Sequence, residues 1–275
     1  MWKPLHYAAE EFFRPTHLSS WLNGTGQGRP TDVYMLHVSH DAALDGRSSL
    51  SGAVDLSVLT LPAGEVVLTR RVPVHLTPGA TGKVVFAQAL GTLLPSNLCG
   101  EGGGGGGASN CFLLARLSAT SIMPATQQWS LDNNVNKDDN TKNTVIPVIS
   151  TTVLFPQRLV HASLETGAVD VTVTSIPTLL SPPLSSPSPP PSTFNITLVS
   201  PVLMPYVVLE STFMGRFSSN LLLLLPHRPV SVLFTLWEES RPVTKKRFAQ
   251  SMTVKCLNVN VTSTQSCVGR IDVLD

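Results

Sequence analysis

The chain has 275 residues, of which 42% are hydrophobic and 13% charged, with 19 basic against 18 acidic side chains and a formal net charge of +1. The length is enough for one or two buried cores, and the charge balance excludes the basic footprint of a nucleic-acid binder. A charged fraction about half the usual ~25%, with Val, Leu, Ser, Thr and Pro in place of Glu and Lys, excludes a helical bundle or coiled coil and predicts an all-β protein.

One helix is expected first, over Trp2–Phe13. Leu5, Ala8, Ala9 and Phe12 recur at helical spacing, Pro4 is tolerated in a first turn, and Pro15 ends the segment. From residue 17 the period changes to two. Strands are predicted at Asp32–Ser39, at Ala53–Thr60 with Val54, Leu56 and Val58 on one face, and at Glu65–Leu76, Lys83–Leu90 and Cys111–Ser118. Thr77-Pro-Gly-Ala-Thr-Gly82 is a strong turn signal between two of them. A polar, Asn/Asp-rich loop is expected over Asp132–Thr144. A second series follows: Arg158–Glu165, Ala168–Ser175, Thr193–Ser200, Tyr206–Ser211, Val230–Trp237, Phe248–Leu257 and Val268–Val273. Short strands punctuated by turns suggest antiparallel sandwiches, and each series fits one immunoglobulin-like sandwich. The boundary between them is expected near Phe155–Arg158. No apolar run reaches the ~20 residues of a membrane span, since Leu221–Leu225 is stopped by Pro226.

Two low-complexity segments interrupt the pattern. Gly102–Gly107 contains G-x-G-x-x-G only trivially, and the expected strand after it is not the helix that a phosphate-binding loop requires. Pro177–Ser192 is rich in Pro and Ser and reads as an expanded hairpin loop, which costs little because closure entropy grows only logarithmically with length.

Four cysteines, Cys99, Cys111, Cys256 and Cys267, lack the spacing of a metal site. An even count fits two bridges with three possible connectivities, of which the sequence-local pairs Cys99–Cys111 and Cys256–Cys267 are the simplest. Each would close a loop of about a dozen residues and contribute about 3 kcal/mol in the chain-entropy view. Three sequons, at Asn23, Asn195 and Asn260, are candidate N-glycosylation sites. Cysteines and sequons together point to a secretory route, whereas Lys3, Pro4 and His6 break any signal-peptide pattern at the start; the chain is therefore expected to be a fragment.

A search for chemistry finds no catalytic centre. His37 and His40, three apart in a predicted strand, face opposite sides and cannot share a metal. No G-x-S-x-G elbow occurs. Glu10–Glu11 fits a solvated helix face and Glu238–Glu239 a polar turn, while Lys245-Lys-Arg247 reads as a solvated loop or edge-strand protection. No cofactor, metal or catalytic residue is assigned.

Two stretches carry a family resemblance. Trp2-Lys-Pro-Leu-His-Tyr-Ala-Ala-Glu-Glu-Phe-Phe-Arg-Pro15 resembles the last helix of the catalytic barrel in glycoside hydrolase family 2 β-mannosidases, through Trp2, Lys3, Leu5, His6, Tyr7, Phe12, Phe13 and Pro15. Pro205-Tyr-Val-Val-Leu-Glu-Ser, Gly215-Arg-Phe-Ser-Ser-Asn220 and Val230-Ser-Val-Leu-Phe-Thr-Leu-Trp-Glu238 resemble the terminal immunoglobulin-like domain of that family. Cys99 and Cys111-Phe-Leu-Leu-Ala-Arg-Leu-Ser118 are similar to a cysteine-bearing hairpin of animal lysosomal members. Ser219 stands where the family has Asp, and the Gly and Pro/Ser segments are insertions.

The resemblance implies a TIM-barrel remnant over 1–16, a first sandwich over 17–156 and a C-terminal sandwich over 157–275. It implies a lysosomal or secretory protein whose partner is the missing catalytic barrel, and whose full-length form cleaves terminal β-mannose from oligosaccharides. The apolar helix face (Leu5, Ala9, Phe12) would pack on that barrel. Both glutamates of the retaining mechanism would lie upstream, so this chain is expected to be inactive alone. Two alternatives stand beside it: a non-catalytic adhesion or interaction protein with tandem immunoglobulin-like domains, and a carbohydrate-binding module.

Overall fold

The computed structural model describes residues 7, 9, 13–40, 48–77, 80–95, 99, 110–123, 144–156, 164–176, 193–237, 243–256 and 268–273. The protein is all-β, and the described residues form four sheets. Contacts divide the chain into two compact units, residues 13–61 with 65–163, and residues 1–12, 62–64 and 164–275.

The first unit contains β1 (Thr16–Asn23), β2 (Val33–His40), β3 (Ser49–Thr60), β4 (Val66–Leu76), β5 (Gly82–Ala89), the single-turn α1 (Leu90–Leu93), β6 (Cys111–Met123) and β7 (Thr144–Leu154). One sheet has the order β1-β2-β5 and the other β4-β3-β6-β7, all antiparallel. Alternation decides which face is buried. In β2, Tyr34, Leu36, Val38 and His40 point inward while Val33, Met35, His37 and Ser39 point out. In β3, Val54, Leu56 and Val58 enter the core as the alternation predicted. They meet Leu113, Ala115 and Leu117 of β6, so this core is almost entirely aliphatic. β1 and β7 are strands that the sequence reading did not pick out. Pro147 lies within β7, which is an edge strand, the place in a sheet where proline is tolerated.

The second unit contains β8 (Val169–Ile176), β9 (Thr193–Val199), β10 (Met204–Ser211), β11 (Gly215–Phe217), β12 (Leu222–Leu224), β13 (Val230–Leu236), α2 (Lys245–Ser251), β14 (Met252–Lys255) and β15 (Val268–Val273). Its sheets have the orders β11-β13-β9-β8-β15 and β12-β10-β14. The core is aromatic at its centre. Phe194 and Phe248 stack at 4.4 Å, Phe248 and Phe234 at 4.8 Å, and Phe217 tilts against Phe234 at 4.7 Å.

Four expectations change. β15 pairs with β8 in parallel, so this sandwich is not purely antiparallel. Phe248–Leu257 is not one strand: Thr244 caps α2 by accepting from the Arg247 amide, and among the described residues of that stretch only Met252–Lys255 is extended. The run Lys245-Lys-Arg247 therefore opens a helix rather than a loop, with the Arg247 guanidinium 5.8 Å over the Phe213 ring. In the expected strand Arg158–Glu165, Leu164 and Glu165 are not in a strand and residues 158–163 lie outside the described residues. The Gly run and the Pro/Ser segment lie outside them too, as does the expected polar loop up to residue 143.

Candidate functional site

The two stretches that carry the family resemblance meet in space, within the second unit. Tyr7 is helical and buried, a member of the core of this sandwich. Its hydroxyl oxygen accepts a hydrogen bond of 3.1 Å from the backbone N–H of Phe217, 210 residues away in sequence. The geometry of β11 explains why that N–H needs a partner. β11 is the edge of its sheet, and its bonds to β13 run through neighbouring residues: Trp237 N–H donates to the Met214 carbonyl, and Ser218 N–H to the Leu233 carbonyl. In an antiparallel pair the amides alternate, so the Phe217 N–H points off the sheet edge. Burial of that donor costs free energy unless it is met, and the Tyr7 phenol meets it. The residue keyed into this core is Tyr7; of the face expected to pack on a barrel, Ala9 is half-buried, and Leu5 and Phe12 lie outside the described residues. Phe13, after the helix, is 86% exposed.

The Gly215–Asn220 stretch forms the other side of this joint, and each side chain has a mechanical reason to be there. A Cβ on Gly215 would come within 2.5 Å of the Phe234 ring and the Thr235 carbonyl, so only glycine fits. Ser218 Oγ accepts from Leu233 N–H at 3.0 Å. Buried Asn220 takes both backbone groups of Leu209: its Oδ1 accepts from Leu209 N–H at 2.8 Å and its Nδ2 donates to the Leu209 carbonyl at 2.8 Å. The same Oδ1 accepts from Leu221 N–H at 3.0 Å, holding Leu221 at φ 57°. One amide therefore clamps β10 to the turn that follows β11. Ser219 is exposed; the clamp is made entirely by its neighbours Ser218 and Asn220.

β10 itself is irregular where the Pro205-Tyr-Val motif begins. Its register to β12 shifts between Met204 and Val207, and Tyr206 has φ 54°, which turns its ring outward to 40% exposure. Glu210 pairs with Lys255 at 2.8 Å on the surface.

In the first unit, Cys99 and Cys111 are joined by a disulfide with Cα atoms 5.2 Å apart. Both are buried in the core, so the bridge fastens the segment after α1 to the start of β6. Cys256 is also disulfide-bonded. Cys267 lies outside the described residues, as does Asn260. Asn195 lies on β9, a central strand, half-buried on the face opposite Phe194 and Ile196. Asn23 ends β1 and is exposed.

The loop after Asn23 is organised by one carboxylate. Asp32 is buried and accepts from the amides of Thr25 (2.7 Å), Gln27 (3.2 Å) and Arg29 (3.0 Å), and from the Thr25 hydroxyl at 3.0 Å. Burial acts to raise its pKa, but the hydrogen bonds from Thr25, Arg29 and Gln27 outweigh it and hold the carboxyl below its ordinary value.

His37 and His40 stand on opposite faces of β2, and buried His40 bonds Thr16 at 2.7 Å and Ser48 at 3.3 Å. Among the described residues no group of three His, Cys, Asp or Glu side chains is placed to hold a metal. No helix among them is long and apolar enough to cross a membrane. The Glu10–Glu11 and Glu238–Glu239 pairs lie outside the described residues. Sequence reasoning found the motif stretches but not the Tyr7–Phe217 bond, because nothing local ties a helix side chain to a strand 210 residues away.

Comparison with known proteins agrees with the second unit's architecture. Residues 179–260 match the mannosidase Ig-fold domain family. No curated protein matches the chain in sequence. The crystal structure of Beta-D-Mannosidase from Dictyoglomus thermophilum superimposes with a TM-score of 0.56 at 13% identity, covering 99% of this chain and 24% of that one. The chain thus spans about a quarter of the length of that enzyme, and the likeness is one of fold. Taken together, the matches show an Ig-fold domain of the type found in mannosidases.

Proposed function

We propose that this chain is the C-terminal accessory region of a glycoside hydrolase family 2 β-mannosidase. The whole protein would remove terminal, non-reducing β-D-mannose from oligosaccharides and glycoproteins in the lysosome or along the secretory route. In this reading the two glutamates of a retaining mechanism belong to a barrel that precedes the segment, and no residue of this chain takes either role.

One observation carries the proposal. Tyr7, from the stretch that resembles the last barrel helix, is sealed into the core of the Ig-fold unit and caps its edge strand. An accessory domain that braces a barrel needs such a rigid joint to the barrel's final helix, because few contacts at a flexible linker would leave the domains free to move. The match over 179–260, the fold likeness to a β-mannosidase and the bridged cysteines support the same reading.

The test is an assay. The purified 275-residue chain, incubated with a chromogenic β-mannoside, is expected to release no chromophore above the protein-free rate. Turnover that rises in proportion to added chain would overturn the proposal.

A further inference from the structure

We propose that Asn23 carries an N-linked glycan whose first N-acetylglucosamine packs on the indole of Trp21. The inference rests on passage through an oxidising secretory route, which the buried Cys99–Cys111 bridge favours, and not on the β-mannosidase reading. Three sequons occur, and two differ from the third in one respect. The residue two before Asn195 is Thr193, and the residue two before Asn260 is Asn258, but the residue two before Asn23 is Trp21.

In a strand that spacing places both side chains on one face, about 6.5–7 Å apart. The face is the outer one. β1 sends Thr16 and Leu18 into the core, while Trp21 is 39% exposed and Asn23 is exposed beside it. The register sets Met35 opposite Trp21 and Val33 opposite Asn23, and the His37 ring lies 6.2 Å from the indole. The indole thus has a ring neighbour in His37 and still keeps 39% of its surface exposed on the face it shares with Asn23. A pyranose presents axial C–H groups on one face, which cover an aromatic ring and remove apolar area from water.

The turn that follows fixes the root of the glycan. Gly24 has φ 137°, and a Cβ there would lie 2.4 Å from Asp32 Oδ1, so the middle position of the sequon accepts only glycine. Asp32 holds the Thr25 amide and hydroxyl in place. The Asn23 side chain therefore leaves a preorganised corner, and less freedom is lost when the sugar settles on Trp21. By contrast, Asn195 emerges half-buried from a central strand, flanked in register by Thr174 and Leu233.

The modification itself is a transfer from a polyprenyl diphosphate-linked oligosaccharide. A bond forms between the Asn23 amide nitrogen and C1 of the sugar, and the C1–O bond to phosphate breaks. The diphosphate leaves with the electron pair, and the amide proton passes to a base of the transferase.

The test uses the full chain with Asn195→Gln and Asn260→Gln, secreted from mammalian cells behind a cleavable leader. Intact mass reads occupancy of Asn23, and an endoglycosidase then trims the glycan to one N-acetylglucosamine. Against the Asn23→Gln protein, the single sugar is expected to raise the Tm of the first unit by about 2 °C. With Trp21→Ser the gain disappears, and with Trp21→Phe most of it is kept. An unmodified Asn23, or an equal gain with and without the aromatic ring, would overturn the inference.

Discussion

The two sandwiches reach stability by different means, and the difference follows from strand length. β3, β4, β6 and β7 of the first unit run 11 to 13 residues, so alternation alone brings long aliphatic rows together. Many small, interchangeable contacts then share the load. In the second unit β11 and β12 have three residues each and β14 four. Strands that short bury little by themselves. Their place is held by a few strongly specific contacts: the Phe194–Phe248–Phe234–Phe217 stack, the Asn220 clamp and the Tyr7 cap. A ladder tolerates single losses; a set of clamps does not. The unit that resembles the mannosidase Ig-fold domain is the one built from clamps.

That contrast is open to breaking. The largest expected effect is Phe234→Ala, which empties the centre of the stack and should cost about 3–5 kcal/mol in the second unit, read by urea unfolding with hydrogen exchange resolving the units. Replacing both Cys99 and Cys111 by Ala should cost about 3 kcal/mol, confined to the first unit, because it releases the loop between them. Asn220→Ala leaves the Leu209 N–H and carbonyl buried without their partner and should cost about 2–3 kcal/mol in the second unit. If a single Leu→Ala change within β3 or β6 proved as selective and as costly as the Phe234 change, the ladder side of the comparison would be wrong.

The smallest effect is a pH dependence. The Asp32 carboxyl is held below its unfolded value near about 3.9, so its contribution is fully present above that pH and is lost as pH falls through the folded pKa. Acid titration of the first unit should show this loss. The Asp32→Asn protein should be less stable at neutral pH and its curve flatter across the acid limb.

How much of this was legible in the sequence depends on which physics decides each element. Where burial on one face decides, alternation suffices: Val54, Leu56 and Val58 in β3 stand inward as read, and β9, read only as a strand, buries Phe194, Ile196 and Leu198 by the same rule. β7 escaped because Pro147 and a Ser-Thr-Thr run blur its pattern, and an edge position allows both. α2 was hidden because Phe248, Met252 and Val254 also fit a strand, and the Thr244 cap that starts the helix is a polar contact without period. The site was legible as motifs and illegible as a joint. Gly215, Phe217, Ser218 and Asn220 could be quoted as a pattern, but their reasons are tertiary: a ring against Gly215, a strand beneath Asn220, a helix side chain at the Phe217 amide.

The central claim is that the leading stretch is keyed into the second sandwich through Tyr7. It is tested most directly by the exchange rate of the Phe217 amide in the full chain and in the Tyr7→Phe protein. Removing the phenolic oxygen deletes the acceptor of the Phe217 amide, a bond of about 1 kcal/mol. The account predicts that the Phe217 amide exchanges roughly fivefold faster in the variant while the Leu209 amide, held by Asn220, changes far less. Equal protection of Phe217 in both proteins would contradict it.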